Sequence, residues 1–375
     1  MEEYVGAVVK DIATSCPPGV PRAPLETLFF GGGTPSLVPP SQLARILDAL
    51  EATFGIAPGA EVSLECDPGA PASPVCALSP CCSFNDTRRA GTFDAVRLKE
   101  YLSLGVTRIN LGVQSFDGAM LAACGRAHTA GDVVEAVATV RASGVRSWGL
   151  DLISGLPHLT PSLWAATLGA AIEARPDHVS VYDLQVEDKT AFGRWYTPGE
   201  APLPTEEHAA AMYTAAHGAL TAAGYNHYEV SNFAKPGHKC RHNLRYWTDA
   251  QWHAFGLAAA NHLGGRRFTR PRRMADYLAW VTAGCAQQQA GEAPDARERL
   301  LDCLMLGLRV ADGVPLASLR ARFGDEAVAR VLAAAKPAVE QGLAAVDGTS
   351  LRLLPPQGFL FSSTVLSDMF ARMKE

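Results

Sequence analysis

The feature that most constrains this chain is a regular beat of short apolar runs and period-3.6 stretches over residues 1–233. Runs of apolar and β-branched residues predict strands at 25–30, 61–66, 108–113, 147–153, 178–184 and 228–233. Between them, apolar residues at helical spacing predict helices over 2–13, 41–54, 94–104, 131–143, 162–173 and 206–223, with Ser41 as an N-cap. One helix per strand, in units of about 30–40 residues, implies parallel βα units. Parallel strands bury both faces, which leaves an open doubly wound sheet or a barrel, whole or partial. The beat opens on a helix, so the expectation is that the first βα unit has lost its strand and first loop.

Two stretches break the pattern. Residues 70–90 are rich in Pro, Ser, Ala and Cys (Cys76, Cys81, Cys82) and have no periodicity, which predicts an exposed insertion inside one βα unit. Beyond residue 264 the chain turns Arg-rich and then Ala- and Leu-rich, with helices expected at 297–308, 316–323 and 325–340. A hairpin of 343–346 and 351–354 around Asp347-Gly348 and a last helix over 358–372 complete a winged-helix-like unit. The expected organisation is therefore a barrel over 1–233, a connecting segment over 234–290 and a helical domain over 291–375 that packs without touching nucleic acid. With 33 basic against 38 acidic residues, a net charge of −5 leaves no electrostatic footprint for nucleic acid. No apolar run reaches the roughly 18–20 residues of a membrane span. Met1-Glu2-Glu3 is too acidic for a signal or transit peptide. Nine cysteines without framework spacing read as reduced thiols or metal ligands, in a reducing compartment.

In parallel βα architectures ligands lie at the carboxyl ends of the strands. The first strand ends in Gly31-Gly32-Gly33-Thr34-Pro35-Ser36, whose glycines let backbone N–H groups approach a small polar ligand; it has neither GxGxxG spacing nor a P-loop lysine. Glu65, Gln114, Asp151 and Gln185 stand at successive strand ends and are expected to share one mouth, each being alternatively a loop cap. Arg126 is a candidate clamp for a carboxylate. A second cluster surrounds Cys240, with His227, His238, His242, His253 and His262. That density suits haem-iron or other metal ligation, or else capping and core packing, and its spacing matches no structural zinc pattern.

The runs Phe29-Phe30-Gly31-Gly32-Gly33-Thr34-Pro35-Ser36, Glu65-Cys66-Asp67-Pro68-Gly69, Gly112-Val113-Gln114-Ser115-Phe116, Gly125-Arg126 with His128, Leu150-Asp151 and His242-Asn243-Leu244-Arg245-Tyr246-Trp247 occur in this order. Together they resemble the oxygen-independent coproporphyrinogen III oxidase family of radical S-adenosylmethionine proteins, and the HNxxYW run resembles its haem chaperone branch. The resemblance implies an α/β fold, a partial (βα)6 TIM-like barrel followed by a C-terminal helical domain, with a [4Fe-4S] cluster and S-adenosylmethionine as cofactors. It assigns Gly32, Gly33 and Thr34 to the methionine amino group, Glu65 to the same ligand, Arg126 to its carboxylate, Asp151 to its ribose hydroxyls, and Gln114 and Gln185 to the same pocket. It further implies haem near His242, Cys240, Tyr246 and Trp247, with His242 or Cys240 as axial ligand. The family's CxxxCxxC cluster motif is absent from these residues, and Cys76, Cys81 and Cys82 stand at C-x4-C-C spacing. The 255–262 loop also departs from the family's glycine- and serine-bearing version. Two functions follow as expectations: a haem chaperone working without its own cluster, with haem and haem-accepting proteins as partners, or an oxidative decarboxylase of coproporphyrinogen III in porphyrin biosynthesis. The expected location is the cytoplasm or an organelle, with any targeting segment upstream.

Overall fold

Five parallel strands, β1 (Leu25–Phe30), β2 (Ile56–Cys66), β3 (Arg108–Gln114), β4 (Ser147–Ser154) and β5 (His178–Asp183), pair in chain order. Most of their residues alternate in character. Along β3, Ile109, Leu111 and Val113 are fully buried in the hydrophobic core, while Arg108, Asn110 and Gln114 belong to the opposite face. The same period puts Leu28, Val62, Leu64, Leu150, Leu152, Val179 and Val181 in that core. Glu61, Ser63, Glu65, Ser147, Asp151, His178 and Ser180 share the inner face. The apolar side is covered by α1 (Glu2–Thr14), α2 (Pro40–Phe54), α3 (Ala95–Ser103), α4 (Gly118–Ala123), α5 (Ala130–Ala142), α6 (Pro161–Ala174) and α8 (Glu206–Ala222), while the short α7 (Ala191–Trp195) follows β5 outside that core. The computed structural model describes residues 1–15, 23–69, 93–285 and 294–374. The expected insertion at 70–90, with Cys76, Cys81 and Cys82, lies outside the described residues, as does Cys16.

The architecture is the expected half-barrel with a C-terminal helical unit, and three local details differ. The strand expected at 228–233 is a hairpin, β6 (Asn226–Glu229) and β7 (Asn232–Ala234), reversed by a two-residue turn at 230–231. β7 runs antiparallel to β5, which gives the order β1-β2-β3-β4-β5-β7-β6. β2 begins at Ile56 rather than 61, because Pro58 and Gly59 (φ +75°) bulge between the Leu25–Ile56 and Thr27–Glu61 pairs. α2 is capped by Pro39 without a side-chain bond, and Pro40 starts the helix in place of the expected Ser41 cap.

Downstream, α9 (Arg241–Trp247) packs on β1, and the hairpin β8 (Ala260–Leu263) and β9 (Arg266–Thr269) leads to α10 (Met274–Thr282). The C-terminal unit has its own core, built by α11 (Ala296–Gly307), β10 (Val314–Pro315), α12 (Leu316–Glu340), β11 (Ala344–Val346), β12 (Ser350–Leu353), α13 (Gln357–Leu360) and α14 (Ser362–Arg372). α12 is broken at Gly324 (φ 85°), the boundary expected from sequence, and β10 adds a third strand to the expected hairpin. The unit is joined to the half-barrel by Val230 N–H donating to Arg309 O and Ala311 N–H donating to Tyr228 O.

A buried node ties α1 to the segment after β9. Arg270 donates to both oxygens of Asp11, at 2.5 and 2.9 Å, and the Tyr277 hydroxyl donates to Asp11 at 2.9 Å. The guanidinium also lies over the Phe255 and Trp280 rings. Removing one member of a buried pair leaves the other charge uncompensated. Asp11→Ala is expected to lower stability by about 3–5 kcal/mol in urea titrations, with much of the loss recovered by adding Arg270→Leu. A cost below about 1 kcal/mol would show that this node does not hold α1 in place.

Candidate functional site

The loop after β1 is shaped by two glycines. Gly32 has φ +106°, and its N–H donates to Glu65 Oε2 at 3.1 Å. A Cβ on Gly31 would stand 2.5 Å from Phe29 Cε1, so glycine lets the loop pass the Phe29 ring beside the Glu65 carboxyl. Gly33 has open space beside it. Beyond Thr34, a turn at Pro35–Leu37 buries Ser36 completely. The Ser36 Oγ accepts from Asp67 N–H at 3.3 Å, locking the loops after β1 and β2 together.

Across the inner face, Glu65 on β2 and Asp151 on β4 are separated by β3, which presents Gly112 between them. A Cβ there would lie 3.1 Å from Gln114 Nε2 and 3.9 Å from Asp67 Oδ1, so the missing side chain is what gives Gln114 its place. Gln114 itself is buried at φ +66°, at the bulge where β3 breaks register with β4. Asp67 anchors the cationic side of the mouth: its Oδ1 lies 3.7 Å from Arg126 Nη1 and 3.3 Å from His128 Nδ1. Burial pushes the Glu65 carboxyl up to about 7, the Asp151 charge pushes the same way, and the Gly32 N–H pulls it back. Burial likewise raises Asp151 to about 6, against a hydrogen bond from Ser180 and the charge of Arg126.

Gly32, Glu65, Gln114, Arg126 and Asp151 are thus brought to one mouth, with Gly33 and Thr34 on its loop. Gln185 is turned to a local task, its amide donating to Asp183 Oδ2 at 3.1 Å on an exposed loop. Sequence reasoning missed Gly31, Ser36 and Asp67 as residues that shape the mouth. The Gly-Gly-Gly run and Asp67-Pro68-Gly69 were the available signals, but which glycine faces a carboxyl depends on contacts made across strands.

The HNxxYW run reaches the flank of the half-barrel from the opposite end, and its Tyr246 still feels the Glu65 charge. Residues 235–242 cross beneath the amino ends of the strands in order: Lys235 N–H bonds Asp177 O before β5, His238 Nδ1 lies 3.0 Å from Ser147 Oγ on β4, and Arg108 on β3 donates to His238 O and Lys239 O. Cys240 Sγ then donates to Glu61 on β2 at 3.6 Å, and His242 Nδ1 lies 2.9 Å from Thr27 Oγ1 on β1. Cys240 is 1% exposed, and burial first, then the Glu61 charge, pushes its thiol up to about 12. His242 stacks on Phe29 and places Nε2 2.8 Å from the Tyr246 hydroxyl, on the exposed side. Burial lowers its pKa to about 4, so the imidazole is neutral at pH 7. Tyr246 is exposed and packs edge-on against Trp252, and Trp247 is half-buried.

The raised carboxyls fix the sign of one pH effect. A group whose pKa is higher folded than unfolded contributes stability below its unfolded pKa and loses it as pH climbs through the folded value. Glu65 moves from 4.5 to about 7 and Asp151 from 3.8 to about 6, so the mouth erodes stability as pH rises from about 4 to 7. Glu65→Gln is expected to flatten that decline in urea titrations between pH 4 and 8. A wild-type slope in the variant would contradict the assignment.

Two family models match this chain: the radical SAM superfamily over residues 19–170, and the HemN C-terminal domain over 295–361. The chain is 37% identical to the heme chaperone HemW of Synechocystis, over 100% of its own length and 89% of the relative's. It is 35% identical to the heme chaperone HemW of Mycobacterium tuberculosis, over 81% of this chain and 73% of the other. Among solved structures, the coproporphyrinogen III oxidase HemN of Escherichia coli superposes with a TM-score of 0.79 at 20% identity, over 98% of this chain and 82% of that one. That likeness is one of fold. No helix among the described residues is long and apolar enough to cross a membrane. By sequence, domain content and architecture, this chain belongs to the HemW family of radical S-adenosylmethionine proteins.

Proposed function

We propose that this protein binds haem beside α9 and hands it to haem-dependent proteins, while its mouth holds S-adenosylmethionine. The relatives named heme chaperone HemW support the first half of this reading. The chemistry of the mouth supports the second. S-adenosylmethionine carries an ammonium, a sulfonium, a carboxylate and a ribose diol. Glu65 and Asp151 match the cationic and diol groups, Arg126 matches the carboxylate, and the Gly32–Thr34 backbone is open to close approach. Gln114 lines the same space, whereas the Gln185 amide is taken up by Asp183.

Next to a reduced iron–sulfur cluster this ligand supplies radical chemistry. The described residues do not fit such a cluster: Cys66 and Cys240 are buried on different elements, and no group of three His, Cys, Asp or Glu is placed to hold a metal among the described residues. Haem transfer needs only a ligand for iron and cover for the macrocycle.

The observation that carries the haem assignment is the state of His242. Its ring is neutral, its Nδ1 is oriented by Thr27, and its Nε2 sits at the surface under a single displaceable hydroxyl. A metal-binding histidine is normally fixed this way through its other nitrogen. Cys240, by contrast, is a buried thiol facing Glu61 and is not the axial ligand. Tyr246 and Trp247 then serve as flanking aromatic surface.

Haemin titration is expected to give a Soret shift that is lost in His242→Ala, kept in Cys240→Ser, and strengthened in Tyr246→Phe, which frees Nε2. Because the imidazole stays neutral down to about pH 4, the shift should be level from about pH 5.5 to 7.5 rather than fading near the ordinary histidine pKa. An unchanged Soret band in His242→Ala would overturn the assignment. Coproporphyrinogen turnover without haem binding would replace the function itself.

A further inference from the structure

The end of the half-barrel opposite the mouth holds a second cavity, of about 80 Å³, lined by Glu61, Thr107, Arg108, Arg146, Ser147, His238, Lys239 and Arg241 with Gly59 and Gly237. Four of these side chains carry fixed positive charge. Against them stand Glu61, which Arg108 Nε engages at 3.2 Å, and Asp312, which lies 3.4 Å from Lys239 Nζ. Of the residues lining the cavity, Asp177 lies within ion-pair range of His238, at 3.9 Å, and it also engages Lys235 and the Trp148 N–H. Arg146 is exposed and has no ion-pair partner among the described residues. The decisive group is Arg108. It is 3% exposed, its Nε binds Glu61, its Nη2 donates to two backbone carbonyls, and its Nη1 is buried without a hydrogen-bond partner.

A buried guanidinium donor costs free energy unless an acceptor reaches it. Here the unfilled donor belongs to a residue that lines a cavity whose other charged walls are mainly cationic, with the Ser147 and Thr107 hydroxyls beside it. On the scale at which one water needs about 10–15 Å³, the space suits a single tetrahedral group and is too small for a nucleotide. Planar guanidinium groups pair with phosphate oxygens through charge-assisted bonds.

We infer that this cavity is an oxyanion site that takes one phosphate group, whose oxygens accept from Arg108 within and from Arg146, Lys239 and Arg241 at the rim. The site lies behind the segment that carries His242. Glu61 spans both, since it pairs with Arg108 while its Oε1 accepts from His242 N–H at 3.0 Å. The inference is independent of the haem and S-adenosylmethionine assignments.

Calorimetry on the full chain with inorganic phosphate, at constant ionic strength, is expected to show saturable one-to-one binding in the micromolar to millimolar range. Arg108 is too deeply paired to be a clean probe, so the exposed Arg146→Ala and Arg241→Ala are the test variants. Each should weaken phosphate binding by about tenfold, the loss of one charged hydrogen bond. Arg126→Ala, at the far mouth, should leave it unchanged. Glycerol 3-phosphate run in parallel separates a phosphomonoester from free phosphate, the tighter binder naming the source. Absence of saturable binding of either, equal affinity in the two rim variants and the wild type, or loss of binding in Arg126→Ala would overturn the site.

Discussion

The structure depends on one buried ion pair, Glu61 with Arg108, set where the chain crosses the amino ends of the half-barrel strands. A half-barrel built from strands with a polar inner face has to satisfy that face with something other than a second sheet. Residues 235–242 do so by passing beneath β5, β4, β3, β2 and β1 in turn, giving up backbone carbonyls to Arg108 and taking the Glu61 carboxylate on Cys240 and the His242 N–H. The crossing ends against β1, and this is what delivers α9, with His242 and Tyr246, to its place. The pair fixes register as much as it stabilises, a role in which buried charges are best attested.

Along the axis of the half-barrel the charges divide. The carboxyl ends of the strands carry Glu65, Asp67, Asp151 and Asp183, with Arg126 beside Asp67 and acting on Asp151. The amino ends gather Arg108, Arg146, Lys239 and Arg241 around Glu61. Burial raises both carboxyls, and the Asp151 charge raises Glu65 further, so a ligand that brings its own positive charge would relieve that unfavourable field. The opposite end has the complementary need. One inner face thus presents charge of opposite sign at its two ends.

Much of the mouth was legible in the sequence because strand ends are local: Glu65, Gln114 and Asp151 each close an apolar run, and parallel strands in chain order must bring such ends together. The floor was not legible. Cys240 meets Glu61 across 179 positions and His238 meets Ser147 across 91, so no window of sequence shows either contact. The cluster of histidines and Cys240 includes residues of the segment that crosses the floor, but its spacing carried no information on which groups are buried and which reach solvent. Local signals also failed where proline competes with a polar cap, as at Pro39 and Pro40 against Ser41. They failed again where a short turn reverses a strand, as between β6 and β7. Gln185 sat in register with the other strand-end residues and still turned aside, because Asp183 offers its amide a nearer partner.

The most direct test of the account is a crystal structure of the protein grown with S-adenosylmethionine. The ligand is expected at the carboxyl ends of the strands, with its amino group on the Gly32–Thr34 backbone beside Glu65, its carboxylate toward Arg126 and its ribose hydroxyls on Asp151. Ligand density away from those four elements, or an empty mouth at saturating ligand, would contradict it.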